Sequence, residues 1–282
     1  MTRILITGAS GMLGHDIQQV LGARPFTALA RHDLDILNTE SVGRAVSGHD
    51  VVINCAAYTK VDDAESHESE AFAINAEGAD NLARAAKSFG ARLIHISTDY
   101  VFNGQSTHPY DELAAREPLG AYGRTKAAGE ELILEAYPEG STIVRTAWLY
   151  GQHGPNFVST MLRLATERET LSVVNDQRGQ PTWTRDLASK LVELVDSDVT
   201  HGILHGTSSG ETTWFDFARE IFALSGLDPE RVQPTDSASF VRPAPRPAYS
   251  VLGHSGWAAV GLTPLRDWRE SLSQALESGV GK

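Results

Sequence analysis

The 282-residue chain contains a single cysteine, Cys55. One thiol can neither close an intrachain disulfide nor supply a Cys-x-x-Cys metal site, so a reducing compartment, the cytoplasm, is expected. Long apolar runs are missing as well. A membrane-spanning helix needs about 18 or more consecutive apolar residues, and no stretch approaches that. The apolar run Ile4-Leu5-Ile6 near the amino terminus is too short for a secretion signal and runs straight into a glycine turn. Positive charge is scarce: 24 Lys and Arg against 36 Asp and Glu leave a net charge of −12. Such a surface repels phosphate backbones and anionic lipid, so neither nucleic acid nor a membrane is an expected partner. A small anionic ligand is still allowed, because a few local Arg and a helix N-terminus are enough to bind one. The ten His do not suggest a metal site, and none is expected.

What is present is an ordinary globular balance, 41% hydrophobic and 21% charged. The length is about twice the usual single-domain value of roughly 150 residues, which fits one large or two interlocked domains. In the first half, short β-rich runs at Arg3–Thr7, Phe26–Ala30, Asp50–Asn54, Arg92–Ser97 and Ser141–Thr146 alternate with amphipathic stretches. In Glu68–Ser88 the residues Ala71, Ile74, Ala79, Leu82, Ala83 and Ala86 keep an approximately helical period. This rhythm predicts right-handed βαβ units and a doubly wound, Rossmann-type parallel sheet covered on both faces. After residue 150 Pro and Gly cluster at Gly151–Pro155, Arg178–Pro181 and Arg242–Pro247, around helix-like pieces at Asn156–Glu167 and Thr213–Ser225. The expectation is a dinucleotide-binding domain over 1–150 plus a returning segment at about 183–206. A smaller, interwoven C-terminal substrate domain then takes about 151–182 and 207–282.

Ile4-Leu5-Ile6-Thr7-Gly8-Ala9-Ser10-Gly11-Met12-Leu13-Gly14 reads as a strand, a glycine turn and a helix start. Gly8 allows the tight turn, Gly11 lets backbone approach a pyrophosphate, and Gly14 permits close helix–strand packing. Ser10, Met12 and Leu13 complete the turn, and the helix N-terminus offers free N–H groups to phosphates. After the second strand, where an acid would select NAD, the chain has Ala30-Arg31-His32. An Arg can accept a 2′-phosphate instead, so NADPH is favoured over NADH, although Arg31 also fits an ordinary surface position. Asp35 and Ile36 are placed to reach the adenine side.

Tyr122-Gly123-Arg124-Thr125-Lys126 puts a phenol and an ammonium four residues apart on one helix face. A phenol with its usual pKa of about 10 transfers protons poorly at neutral pH, and a nearby cation brings it into range. Upstream, Ile94-His95-Ile96-Ser97-Thr98-Asp99 ends a strand with a hydroxyl, which at the carboxyl end of a parallel strand faces the ligand crevice. A Tyr-x-x-x-Lys spacing alone occurs by chance in many helices. Together with the glycine turn and Thr98 in this order, it points to catalysis.

These elements resemble the extended short-chain dehydrogenase/reductase family, whose glycine spacing of three and three the turn shares. Longer strings narrow the likeness: Asn54-Cys55-Ala56-Ala57-Tyr58-Thr59-Lys60-Val61-Asp62-Asp63-Ala64-Glu65, Ser97-Thr98-Asp99-Tyr100-Val101-Phe102, Trp148-Leu149-Tyr150-Gly151 and Asn175-Asp176-Gln177-Arg178-Gly179-Gln180-Pro181-Thr182. They resemble its reductases of dTDP-linked 4-keto-6-deoxysugars, over nearly the whole chain. The resemblance implies hydride transfer from NAD(P)H to the C4 keto group of dTDP-4-dehydro-β-L-rhamnose. In this scheme Tyr122 protonates the C4 oxygen, Lys126 lowers the Tyr122 pKa and holds the nicotinamide ribose, and Thr98 bonds the carbonyl. It also implies that Ala56, Ala57 and Tyr58 line the cofactor and that Asn75 supports Lys126. Asp99 and Trp148 would contact the sugar. Gln177, Arg178 and Arg246 are the expected contributions of the second domain to the thymidine diphosphate, Arg for its forked donors. Some relatives carry an acid after the third glycine that helps a metal link subunits; this chain has His15 there.

Other readings remain open on residues alone. Tyr58, Tyr100 and Trp148 fit ordinary core aromatics, Arg178 and Arg246 fit surface ion pairs, and Asp62, Asp63 and Glu65 fit a solvated helix start. Relatives that dehydrate their sugar follow the hydroxyl residue with Asp-Glu, whereas Thr98 here is followed by Asp99-Tyr100, which disfavours dehydration. Reduction of a different dTDP-4-keto-6-deoxysugar is one alternative. A non-catalytic role resembling the regulatory subunit of methionine adenosyltransferase is another. A homodimer is the base-rate assembly.

Overall fold

A computed structural model describes residues 2–281; Met1 and Lys282, the outermost residues of the two expected regions, lie outside it. Five strands come from the first half: β1 (Ile4–Thr7), β2 (Phe26–Leu29), β3 (Val51–Asn54), β4 (Arg92–Thr98) and β5 (Ser141–Thr146). A sixth, Gly202–His205, pairs with β5, and the sheet runs β2-β1-β3-β4-β5 and then this strand, every pair parallel. The chain builds outward from β1 to β2 and then returns past β1 to β3. That reversal opens a crevice at the carboxyl ends of β1 and β3, where doubly wound sheets bind ligands.

β1 and β3 are apolar at every position but the last because both faces are covered. Ile4, Ile6 and Ile53 point to one side, into a core with Ile17 of α1 (Met12–Leu21) and Leu187 and Leu191 of the helix Thr184–Asp196. Leu5, Val52 and Leu93 point to the other. There they meet Val42 of α2 (Thr39–Val46), Leu82 of the helix Gly78–Phe89 and Ile133 of the helix Ala121–Ala136. Each such side chain contributes about 1.5–3 kcal/mol of transfer free energy.

The single helix expected over Glu68–Ser88 is three pieces: Glu68–Phe72, a π-helical turn at Ala73–Glu77, and Gly78–Phe89. The extra residue in the turn brings Asn75 to the backbone after β3. Its side chain accepts the Tyr58 N–H at 2.8 Å and donates to Thr125 Oγ1 at 3.0 Å.

A second core holds Tyr150, Val158, Phe217 and Trp268 between the helices Phe157–Glu167, Trp214–Leu224 and Trp268–Glu277. The first of these starts at a capping box in which Asn156 accepts from the Ser159 N–H. The chain enters this core at Leu149–Tyr150, which pairs in parallel with Thr182–Trp183, and then returns to the sheet. His201 and His205 stand four apart, a spacing that would pair them on a helix. On the strand Gly202–His205 the second is buried and the first, just before it, is exposed.

Candidate active site

One cavity of about 1090 Å³ runs along the carboxyl ends of β1 to β5. Its floor at β1 is the glycine turn: Gly8, Ser10, Gly11, Met12, Leu13 and Gly14 all line it. Gly8 has φ +67°, and a Cβ there would come within 2.5 Å of the Ala56 backbone nitrogen, so only glycine lets β1 and β3 close this tightly. A Cβ on Gly14 would lie 2.7 Å from the Gly8 carbonyl oxygen. Gly11 caps α1 without a side-chain bond, and the first turn of that helix carries no acid, so its N–H groups and positive dipole end are free for an anion. This cradle fits a dinucleotide diphosphate. Arg31, exposed at the rim, makes no ion pair with a described residue, and Asp35 and Ile36 line the cavity beside it.

Across the floor are Ala56 and Ala57. Tyr58, by contrast, turns its hydroxyl to Asp63 and is not part of the lining; nor is Asn75, which holds the Tyr58 backbone from behind. The loop Gln152–Pro155 lines the cavity beside the start of α1, and its His153 packs against His15 with ring centroids 4.5 Å apart and the rings tilted by 30°.

Thr98, Asp99, Tyr122 and Lys126 converge at the next section of the same cavity. Thr98 donates to Asp99 Oδ1 at 3.0 Å and accepts the Tyr100 N–H at 3.2 Å. Asp99 is buried, and its Oδ2 has no hydrogen-bond partner among the described residues. Burial holds its carboxyl up at about 6. Tyr122 meets Tyr100 edge to face at 5.6 Å. Burial pushes the Tyr122 phenol up to about 12, partly offset by the Thr98 hydroxyl beside it. The expected depression of this phenol by Lys126 is therefore absent in this geometry. Lys126 Nζ turns instead to the Ile96 carbonyl oxygen, 2.7 Å away, and to His95 Nε2, 3.0 Å away.

Trp148 also lines the cavity, in the left-handed region at φ +47°. A bulky residue rarely adopts that conformation, and here its indole is clamped. Trp214 stacks on it at 3.6 Å with an interplanar angle of 12°, and a Cβ on Gly179 would come within 2.6 Å of the ring.

Gln177, Arg178 and Arg246 do not line the cavity. Gln177 donates to Ser237 and Arg178 pairs with Glu211. Arg246 lies 5.8 Å over the ring of Tyr100 and donates to Asp62 Oδ1 at 2.9 Å. None of the three acids at the helix start is simply solvated. Asp62 takes the Arg246 guanidinium, Asp63 the Tyr58 hydroxyl, and Glu65 the Ala121 N–H that opens the helix Ala121–Ala136.

The sheet order, the glycine turn at the strand reversal and a Tyr–Lys helix pair facing a strand-end Thr are the architecture of the extended short-chain dehydrogenase/reductases. Residues 1–280 match the family described as RmlD substrate binding domain, and the chain belongs to that family. It is 50% identical over 277 residues to the dTDP-4-keto-6-deoxy-D-glucose reductase of Streptomyces niveus, covering 97% of this chain and 96% of that one. It is 49% identical over 288 residues to the dTDP-4-dehydrorhamnose reductase of Streptomyces griseus, covering 99% and 95%. The crystal structure of the Bacillus anthracis dTDP-4-dehydrorhamnose reductase in complex with NADP superposes with a TM-score of 0.93 at 38% identity, over 99% of this chain and 100% of that one.

Proposed function

We propose that the protein reduces the C4 keto group of dTDP-4-dehydro-β-L-rhamnose with NADPH, giving dTDP-L-rhamnose. The observation that carries this reading is the convergence of Thr98, Asp99, Tyr122 and Lys126 in the cavity that also contains the glycine cradle. NADPH, when bound, supplies the hydride to C4. The glycine turn and the N-terminus of α1 hold its diphosphate, and Arg31 at the rim takes the 2′-phosphate.

Tyr122 donates its phenolic proton to the C4 oxygen. A phenol raised to about 12 is protonated at neutral pH and ready for that role. The phenolate left behind needs a cation, which Lys126 supplies once it reaches toward the nicotinamide ribose. Thr98 orients the carbonyl, and the unpartnered Asp99 oxygen takes a sugar hydroxyl. Trp148 packs against the sugar ring. Residues 1–150 and 183–206 form the cofactor half of this scheme, and 151–182 with 207–282 the nucleotide-sugar half. For Arg178 and Arg246 to hold the thymidine diphosphate, its phosphates must replace Glu211 and Asp62 as partners. The cytoplasm is the compartment that suits a chain with one cysteine and a nucleotide-linked substrate.

A second reading, reduction of another dTDP-4-keto-6-deoxysugar by the same residues, is favoured by the Streptomyces niveus relative, whose name gives a different sugar. The test is NADPH oxidation by the purified protein with dTDP-4-dehydro-β-L-rhamnose and, separately, dTDP-4-keto-6-deoxy-D-glucose. Faster turnover of the first supports the proposal, and faster turnover of the second replaces it with the alternative. Absence of oxidation with either sugar overturns both readings.

A further inference from the structure

Lys126 is 1% exposed, and the identity of its second partner is fixed from behind. The Ala56 N–H, which can only donate, reaches Asn54 Oδ1 at 3.0 Å, and the Thr7 hydroxyl donates to the same oxygen at 2.7 Å. The Asn54 amide therefore cannot be turned over, and its Nδ2 faces His95 Nδ1 at 2.9 Å. His95 Nδ1 must accept. His95 is fully buried beside Lys126, and burial holds the imidazole well below its usual range, in the neutral form. A neutral imidazole that accepts at Nδ1 carries its proton on Nε2, the nitrogen that faces Lys126 at 3.0 Å.

An ammonium has three donors and no lone pair. Placed here it would set N–H against N–H. The arrangement is satisfied when Lys126 is an amine that accepts from His95 Nε2 and donates to the Ile96 oxygen at 2.7 Å.

We propose that His95, oriented by Asn54, is a positioning residue that retains Lys126 as a neutral amine and repels its ammonium toward the cavity, so that cofactor binding takes up a proton at Lys126. The inference rests on the reductase reading above. The surroundings agree with it. Burial pulls Lys126 down to about 8 against the opposing charge of Glu130, so that about half of the sites hold the amine at pH 8. Cys55, directly after β3, is pushed up to about 12 and stays a thiol, and Tyr122, one turn away, stays a phenol. Glu130, one turn further along the helix, is committed to Arg145, Arg116 and Ser97. Asp99 at the cavity wall is itself raised to about 6. No unpaired carboxylate therefore holds an ammonium in the retracted position. A bound dinucleotide changes this balance, because its ribose hydroxyls accept hydrogen bonds and its phosphates are anionic. The proton then comes from solvent and ends on Nζ.

The test is calorimetric titration of the whole protein with NADPH at pH 8, in two buffers of different ionisation enthalpy, without sugar. The wild type is expected to take up nearly half a proton per site. Asn54→Asp replaces the Nδ2 donor by an acceptor, which turns the His95 proton to Nδ1 and offers a lone pair to an ammonium, so uptake is expected to vanish. His95→Gln can accept from Asn54 and still donate toward Lys126, so uptake is expected to survive. Uptake that is absent in the wild type, or unchanged in Asn54→Asp, overturns the proposal. NADPH oxidation with the sugar, read in parallel, separates the two ideas: turnover without proton uptake sinks this inference alone, and failure to bind NADPH sinks the reductase reading with it.

Discussion

Two buried polar clusters sit one helical turn apart on the helix Ala121–Ala136, and they are built on opposite principles. Around Glu130 every charge is answered. Arg145 donates to its carboxylate from Nε at 2.9 Å and Nη2 at 2.6 Å, Ser97 donates at 2.5 Å, and Arg116 closes the set at 3.4 Å. Burial alone would push this carboxyl up, yet Arg145 and its neighbours hold it below the usual range. Around Lys126, one turn earlier, the pairing is incomplete. Asp99 keeps an orphaned oxygen, Tyr122 is a raised phenol, and Lys126 faces the N–H of His95. A saturated cluster locks a core, and an unsaturated one marks where a ligand completes the bonding.

Breaking the saturated cluster should have the largest effect on stability. Glu130→Ala leaves the Arg145 guanidinium buried and uncompensated, with an expected cost of about 3–5 kcal/mol, read as a loss of denaturation midpoint. A midpoint within error of wild type would contradict a stabilising cluster. Breaking the unsaturated cluster should act on rate instead. Tyr122→Phe removes the proton donor and is expected to lower kcat by about a hundredfold or more, with NADPH affinity nearly intact.

Asp99→Asn separates the two kinds of cost. The folded carboxyl is raised from 3.8 to about 6, so the stability tied to its protonated form is complete below 3.8 and lost as pH rises through 6. The amide does not ionise. The variant should therefore gain on the wild type above pH 6, by on the order of 2–3 kcal/mol, and show no such gain near pH 4. Denaturant midpoints at pH 4 and pH 8 check this; a difference that is flat with pH contradicts a buried carboxylate. The smallest expected effect is at the rim. Arg31→Ala should raise KM for NADPH about tenfold and leave NADH nearly unchanged. An equal change for both cofactors would remove Arg31 from phosphate selection.

The glycine cradle and the Thr98, Tyr122 and Lys126 set were readable in the sequence because their signals are local. The turn Gly8–Gly14 sits on seven consecutive residues, Tyr122 and Lys126 on one helical turn, and Thr98 at the end of a strand, so their spacing and order together pointed to the site. The continuous apolar character of β1 and β3 likewise announced a sheet covered twice. What stayed hidden depends on distant pairs. His95 meets Lys126 across 31 residues and Arg246 meets Asp62 across 184. Trp214, on a helix of the second core, clamps Trp148 from far along the chain. The π turn at Ala73–Glu77 escaped for a related reason: periodicity tolerates one extra residue, while the pull of Asn75 on the Tyr58 backbone is tertiary. A hydrophobic period records which face is buried, and it carries no information on which polar groups will meet there.

The contrast between the two clusters is tested most directly by measuring kcat and the denaturation midpoint together for Tyr122→Phe, with saturating NADPH and dTDP-4-dehydro-β-L-rhamnose. The account predicts a turnover loss of about a hundredfold or more at an unchanged midpoint. Turnover within a few-fold of wild type, or a loss matched by a collapse in stability, would contradict it.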